Sequence, residues 1–200
     1  MQKTIFNIQS ERDFKEAALC VFKHQFEHNK VYRSFCDLLY KSPSEVKEIH
    51  EIPFLPIQFF KSHSVLSSMK DVQKTFTSSG TSGSIPSKHK VTDLSWYQKS
   101  YLKGFQYFYG EITDYTILAL LPNYLEREGS SLIYMVDDLI KQTNKPNSGF
   151  YLQNLAELST TLKELDVKGE KTLLIGVSFA LLDLIENGGF QLQNTLIMET

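Results

Sequence analysis

Thr172-Leu173-Leu174-Ile175-Gly176-Val177 runs without a break into Ser178-Phe179-Ala180-Leu181-Leu182-Asp183-Leu184-Ile185-Glu186. The first six residues are a short apolar run that reads as a strand. The next nine read as a helix, so the stretch is a strand turning directly into a helix. Working outward, the same grammar repeats. Residues 195–198 read as the next strand and 155–165 as the preceding helix. Before them come an extended piece at 149–152, a helix at 130–141, a strand at 115–121, a helix from about 92 to 109 and a short strand at 74–77. Strands alternating with helices predict an α/β fold, a mainly parallel sheet flanked by helices.

The N-terminal segment, residues 1–50, is predicted to be helical. Ser10-Glu11-Arg12-Asp13 is a capping-box-like start, and Phe14, Ala18, Val21, Phe22 and Phe26 follow at helical spacing. A second helix is predicted over 31–40, with Phe35, Leu38 and Leu39 on its apolar side. Pro53 and Pro56 predict an extended path over 52–60. The alternating part then spans 74–200. The sequence ends on a strand, where an open α/β sheet would place a site-forming loop. Residues 1–200 are therefore expected to be the N-terminal portion of a larger domain.

Composition narrows the function classes. Hydrophobic residues make up 42% and charged residues 22% of the 200-residue chain, which excludes disorder, collagen and coiled coil for the whole. The net charge of -2 gives no global attraction to nucleic acid or to an anionic membrane. Locally, Lys70, Lys74, Lys88, Lys90, Lys99 and Lys103 stand against Asp71 and Asp93, a basic stretch that fits a small anionic ligand. No run approaches the ~20 apolar residues of a membrane span, and the N-terminus has no secretory h-region. Cys20 and Cys36 make neither a disulfide framework nor a zinc site, so a cytoplasmic setting is the default. The two are expected to be small core residues on the N-terminal helices.

Thr77-Ser78-Ser79-Gly80-Thr81-Ser82-Gly83 carries five hydroxyls and two glycines in seven residues. Glycine lets successive backbone N–H groups turn toward one point and form an anion-binding concavity, and the hydroxyls add donors. Lys88 follows closely. The segment is not a P-loop, because Ile85 stands where that pattern requires glycine. Composition alone also allows a flexible Ser/Gly hinge, and both readings stay open on spacing.

Ser79-Gly80-Thr81-Ser82-Gly83 followed by Pro86 resembles the phosphate-binding signature of the adenylate-forming superfamily. More narrowly, the chain resembles the acyl-protein synthetase (LuxE-type) family. The supporting stretches are Pro53-Phe54-Leu55-Pro56-Ile57-Gln58-Phe59-Phe60-Lys61-Ser62-His63, residues 76–83, Leu121-Pro122-Asn123-Tyr124-Leu125-Glu126-Arg127 with Ser130-Ser131-Leu132, and Ile197-Met198-Glu199-Thr200. The resemblance implies an adenylate-forming enzyme fold of which this is an incomplete N-terminal part. It implies ATP, with Mg2+, activating a fatty or other carboxylic acid to acyl-adenylate, and a thiol, a protein cysteine or coenzyme A, then taking the acyl group. The phosphate-binding candidates are Thr77, Ser78, Ser79, Gly80, Thr81, Ser82, Gly83 and Lys88. Lys88 lies five residues after Gly83, where the broad signature has lysine three after. The substrate-binding candidates are Tyr124, Arg127, Gly176 and Ser178, with Arg127 for the acid's carboxylate or a phosphate and Gly176 leaving room for an acyl chain or adenine. The acyl-accepting cysteine is expected beyond Thr200, as are an adenine-holding Gly-Gly loop, a Thr-Glu element and a small C-terminal domain.

Two other readings remain at this stage. One is a phenylacetate-type coenzyme A ligase, which shares the first half-reaction. The other is a non-catalytic nucleotide- or acyl-binding module or an acyltransferase subunit; the enzyme reading leaves room for an acyl reductase or acyltransferase partner. No metal site is expected among the five histidines; His24 and His28 lack the Glu of H-E-x-x-H and read as a solvated helix face. Ser130 and Ser131 read as helix N-caps, and Asp137-Asp138 as an exposed helical face.

Overall fold

The computed structural model describes residues 5–78, 85–121, 129–151, 154–186 and 188–200. Two compact units divide the chain, Met1–Ser95 and Trp96–Thr200. The first opens with α1, Glu11–His28. Ser10 caps it as the sequence predicts, its Oγ accepting the Asp13 N–H at 3.1 Å. Asn29 closes α1 through its N–H to the Gln25 carbonyl, and its side chain accepts the Tyr32 N–H to start α2, Lys30–Leu38. One asparagine thus ends one helix and caps the next, which sets the corner between them.

The buried face is the predicted one in part: Phe22 is buried and Phe26 packs against the core. Ala17 and Phe22 point inward from α1, while Phe14 is 51% exposed. On α2 the buried pair is Tyr32 and Cys36, and Leu38 and Leu39 are exposed. With Val46 they form a small core. Cys20 is exposed, not a core residue as expected. After the prolines the chain is not extended throughout: Phe59–Ser62 makes one helical turn, α3, which starts as the Phe59 N–H reaches the Pro56 carbonyl at 3.0 Å.

The predicted strand 74–77 forms as β1, Lys74–Thr77, but its partner was not foreseen. Strand β2, Lys88–Val91, pairs with it antiparallel in a two-stranded sheet. The long helix α4, Leu94–Tyr109, follows.

The second unit is built on four parallel strands. They are β3, Thr116–Leu120; β4, Gly149–Phe150; β5, Thr172–Gly176; and β6, Thr195–Glu199. Their order is β4-β3-β5-β6. Helices α5, Ser131–Thr143; α6, Leu155–Val167; and α7, Ser178–Glu186 connect them. The α/β architecture with a helical N-terminal segment is therefore as predicted. Strands β3 and β5 are buried along their whole length, whereas β6 lies at the edge and is largely exposed. Leu158, Leu162 and Leu165 of α6 are all 0% exposed, at the helical spacing that lays one stripe on the sheet. Helix α5 ends where Asn144 turns left-handed at φ 51° just before Pro146. Gly169, at φ 71°, plays the same part after α6.

Candidate functional site

Two places gather the predicted residues. In the first unit, the β1–β2 register sets Thr77 opposite Lys88. Beyond that pair, Ser78 N–H donates to the Ser87 carbonyl at 3.1 Å, and Ser87 N–H donates to Ser78 Oγ at 3.0 Å. The ribbon is thus closed just before the hydroxyl/glycine segment. Ser79, Gly80, Thr81, Ser82 and Gly83 lie outside the described residues. Directly opposed residues of an antiparallel pair share a face, so Thr77 and Lys88 point to one side, together with Thr75 and Lys90 two pairs further down. Lys88 is exposed, and no carboxylate among the described residues lies within ion-pair distance of it. Pairing brings the lysine back beside the threonine that precedes the loop.

In the second unit the strand order reverses between β3 and β5: β4 lies beyond β3 and β6 beyond β5. Ligands of open α/β sheets sit at such a switch point, outside the carboxyl ends of the strands. The substrate-binding candidates follow these same two strands. Tyr124 and Arg127 come after β3 but lie outside the described residues; Gly176 ends β5 and Ser178 begins α7. The reversal itself was not read from the sequence, since strand order is a non-local property.

Ser178 Oγ hydrogen-bonds to the Glu199 carboxylate at the end of β6, and Thr200 N–H reaches the Gly176 carbonyl at 3.0 Å. Glu199 is the residue sequence reasoning missed as a site member; its only signal was its place in the terminal Ile197–Thr200 stretch. Around Gly176 there is no room for an acyl chain on the side a Cβ would take. A Cβ built there would lie 2.7 Å from Leu181 Cδ2 and 3.3 Å from the Leu120 carbonyl oxygen. Beside these groups an apolar groove of about 580 Å³ runs between α7 and β6, lined by Leu181, Ile185, Phe190 and Ile197, with Ser178 and Glu199 also on it.

Other candidates fall as follows. Ser130 caps α5, its Oγ accepting the Ile133 N–H at 3.3 Å. Asp138 is not simply on an exposed face. It accepts from the Tyr101 hydroxyl and from Gln142 Nε2, each at 2.6 Å, and Tyr101 is buried. Burial, then this bond to a carboxylate, pushes the Tyr101 phenol far up. Cys36 is 0% exposed, and burial raises its thiol above the ordinary 9.0. That is the wrong direction for a nucleophile. The rings of His24 and His28 stack at 4.4 Å. Among the described residues no group of three or more His, Cys, Asp or Glu could hold a metal ion, and no helix is long and apolar enough to cross a membrane.

Comparison with known proteins gives the family. Residues 5–118 match the profile described as "Acyl-protein synthetase, LuxE". A "Long-chain-fatty-acid--luciferin-component ligase" of Photorhabdus luminescens is 34% identical over 76 residues. That alignment covers 38% of this chain and 65% of the relative, so the chain spans somewhat under two thirds of the relative it matches. The profile takes in more than half of the chain, including the whole hairpin and the hydroxyl/glycine segment between its strands. The chain belongs to the LuxE acyl-protein synthetase family.

Proposed function

We propose that this protein is an ATP-dependent, adenylate-forming acyl ligase. It would activate a fatty acid and pass the acyl group to a thiol. The observation that carries the reading is the β1–β2 hairpin: in a chain of this family, it closes the hydroxyl/glycine segment with Thr77 and Lys88 side by side. Hydroxyls over 77–83 and backbone amides over 79–83 would take the β- and γ-phosphate oxygens, with the Lys88 ammonium neutralising charge across the ribbon. Ser78 Oγ already accepts from Ser87, which leaves its own proton to donate.

The acid's carboxylate oxygen attacks the α-phosphorus, the bond to the bridging oxygen breaks, and pyrophosphate leaves with the charge that the loop holds. A thiolate then attacks the acyl carbonyl and AMP departs. This chain's share is positioning and charge neutralisation. Tyr124, Arg127 and Ser178, which follow the two strands flanking the switch point, are proposed to hold the acid, together with the backbone at Gly176. Arg127 would meet its carboxylate. Magnesium finds no carboxylate cluster among the described residues; it is proposed to enter on the nucleotide's phosphates, and no step is assigned to it. The acyl-accepting cysteine is proposed to lie beyond Thr200. The long-chain acid and the protein acceptor rest on the relative's name.

The test is acid-dependent ATP–pyrophosphate exchange by the full-length polypeptide. Long-chain acids should support exchange, and Lys88→Met should cut it about tenfold to a hundredfold. Replacing Gly80 and Thr81 by alanine should abolish stabilisation by ATP in thermal unfolding. Exchange with aryl acids alone would favour a coenzyme A ligase of the phenylacetate type. Folded protein that binds ATP yet exchanges with no acid would leave a binding module as the better reading.

A further inference from the structure

The first unit holds a cavity whose lining residues are not used by the proposed reaction. It encloses about 320 Å³ beside the α1–α2 corner, within the size range of small-ligand pockets. Its apolar wall includes Leu55, Phe60, Val65 and Leu66, and Lys90 stands on its polar side. None of the residues lining it is acidic. Lys90 Nζ donates to Ser64 Oγ at 3.0 Å, and no carboxylate among the described residues lies within ion-pair distance. An ammonium carries three donors, so two remain.

Asn29 adds a further donor. It is only 4% exposed and lines the same cavity. Its Oδ1 is taken by the Tyr32 N–H, and Nδ2 gives one N–H to Gln25 Oε1 at 3.1 Å. The other has no acceptor among the described residues. A cationic group and a spare amide N–H, facing an apolar wall with no acid to balance them, call for an anion that brings an apolar body.

We propose that this cavity binds a small organic carboxylate, its anionic head on Lys90 and its hydrocarbon part against Phe60 and Leu66. The proposal goes beyond adenylation, since none of the lining residues is assigned to that reaction. Phosphate alone would leave the apolar wall uncovered.

Octanoate is the probe, titrated into the protein with backbone amide shifts followed by NMR, and octanamide is its neutral counterpart. Octanoate should perturb amides at 89–92, and octanamide should bind about tenfold more weakly or worse. Lys90→Met should bring octanoate down to the level of octanamide. The comparison of the two probes uses unaltered protein, so it stands even if the variant does not fold. Equal binding of octanoate and octanamide, perturbation confined to 176–178, or no binding would each overturn the proposal. Loss of acid-dependent exchange with octanoate still bound at 89–92 would count against the adenylation reading alone.

Discussion

Gly176 shows what one missing side chain does in this fold. The strand β5 must turn into α7 within two residues, and Leu181 folds back so that its Cδ2 takes the space over the glycine. The glycine is needed for packing, with no positive φ involved. Gly176→Ala is expected to cost about 1–3 kcal/mol through overpacking, read as a lower midpoint in thermal unfolding. Leu181→Ala in the same chain should relieve part of that cost, because the two groups compete for one volume. If the double variant loses the full sum of the single losses, the clash is not the cause. The residue scale is also where sequence reading was weakest. Cys20 and Cys36 look alike on two apolar-patterned helices, yet one is exposed and one fully buried. Leu38 failed as a core residue because, two residues after Cys36, it stands on the opposite side of the helix, and Leu39 because α2 ends at Leu38.

At the scale of elements, β6 has neighbours on one side only, so its register depends on what precedes it. Asp166, at the end of α6, accepts the Gln193 N–H at 2.8 Å and the Asn194 N–H at 2.7 Å with one carboxylate oxygen, and its carbonyl takes Asn194 Nδ2. Asn194 in turn gives its carbonyl to Thr172 N–H at 2.9 Å. Asp166→Ala is therefore expected to cost about 1–3 kcal/mol and to speed hydrogen exchange in β6 more than in β3. Uniform acceleration across the sheet would mean that Asp166 does not pin that edge. The strands and helices of the second unit were legible because their signals are local. Apolar runs mark the strands, and Ser130 marks the start of α5. Strand β2 was not legible: Lys88-His89-Lys90-Val91 has little strand character of its own, and only pairing with β1 across the intervening loop makes it a strand. For the same reason Lys88 was named from its nearness to the loop, whereas its place opposite Thr77 came only with the structure.

Across the whole molecule, the two units have very different cores. The first rests on Phe22, Tyr32, Cys36 and Val46. The second buries Ile117, Leu118, Leu120, Leu173 and Ile175 to 1% exposure or less, with the three leucines of α6 above them. Local opening follows buried apolar contact, so elements with few such contacts open at lower free energy than a fully buried strand. Native-state hydrogen exchange should therefore place β3 and β5 in the slowest class, with α1 and α2 exchanging about tenfold faster or more. The proposed phosphate loop belongs to the unit expected to open more easily, and the switch point sits on the other. That division would suit the proposed reaction, in which the strand ends would have to hold the acid in place. If α1 and α2 exchange as slowly as β3 and β5, stability is not divided in this way.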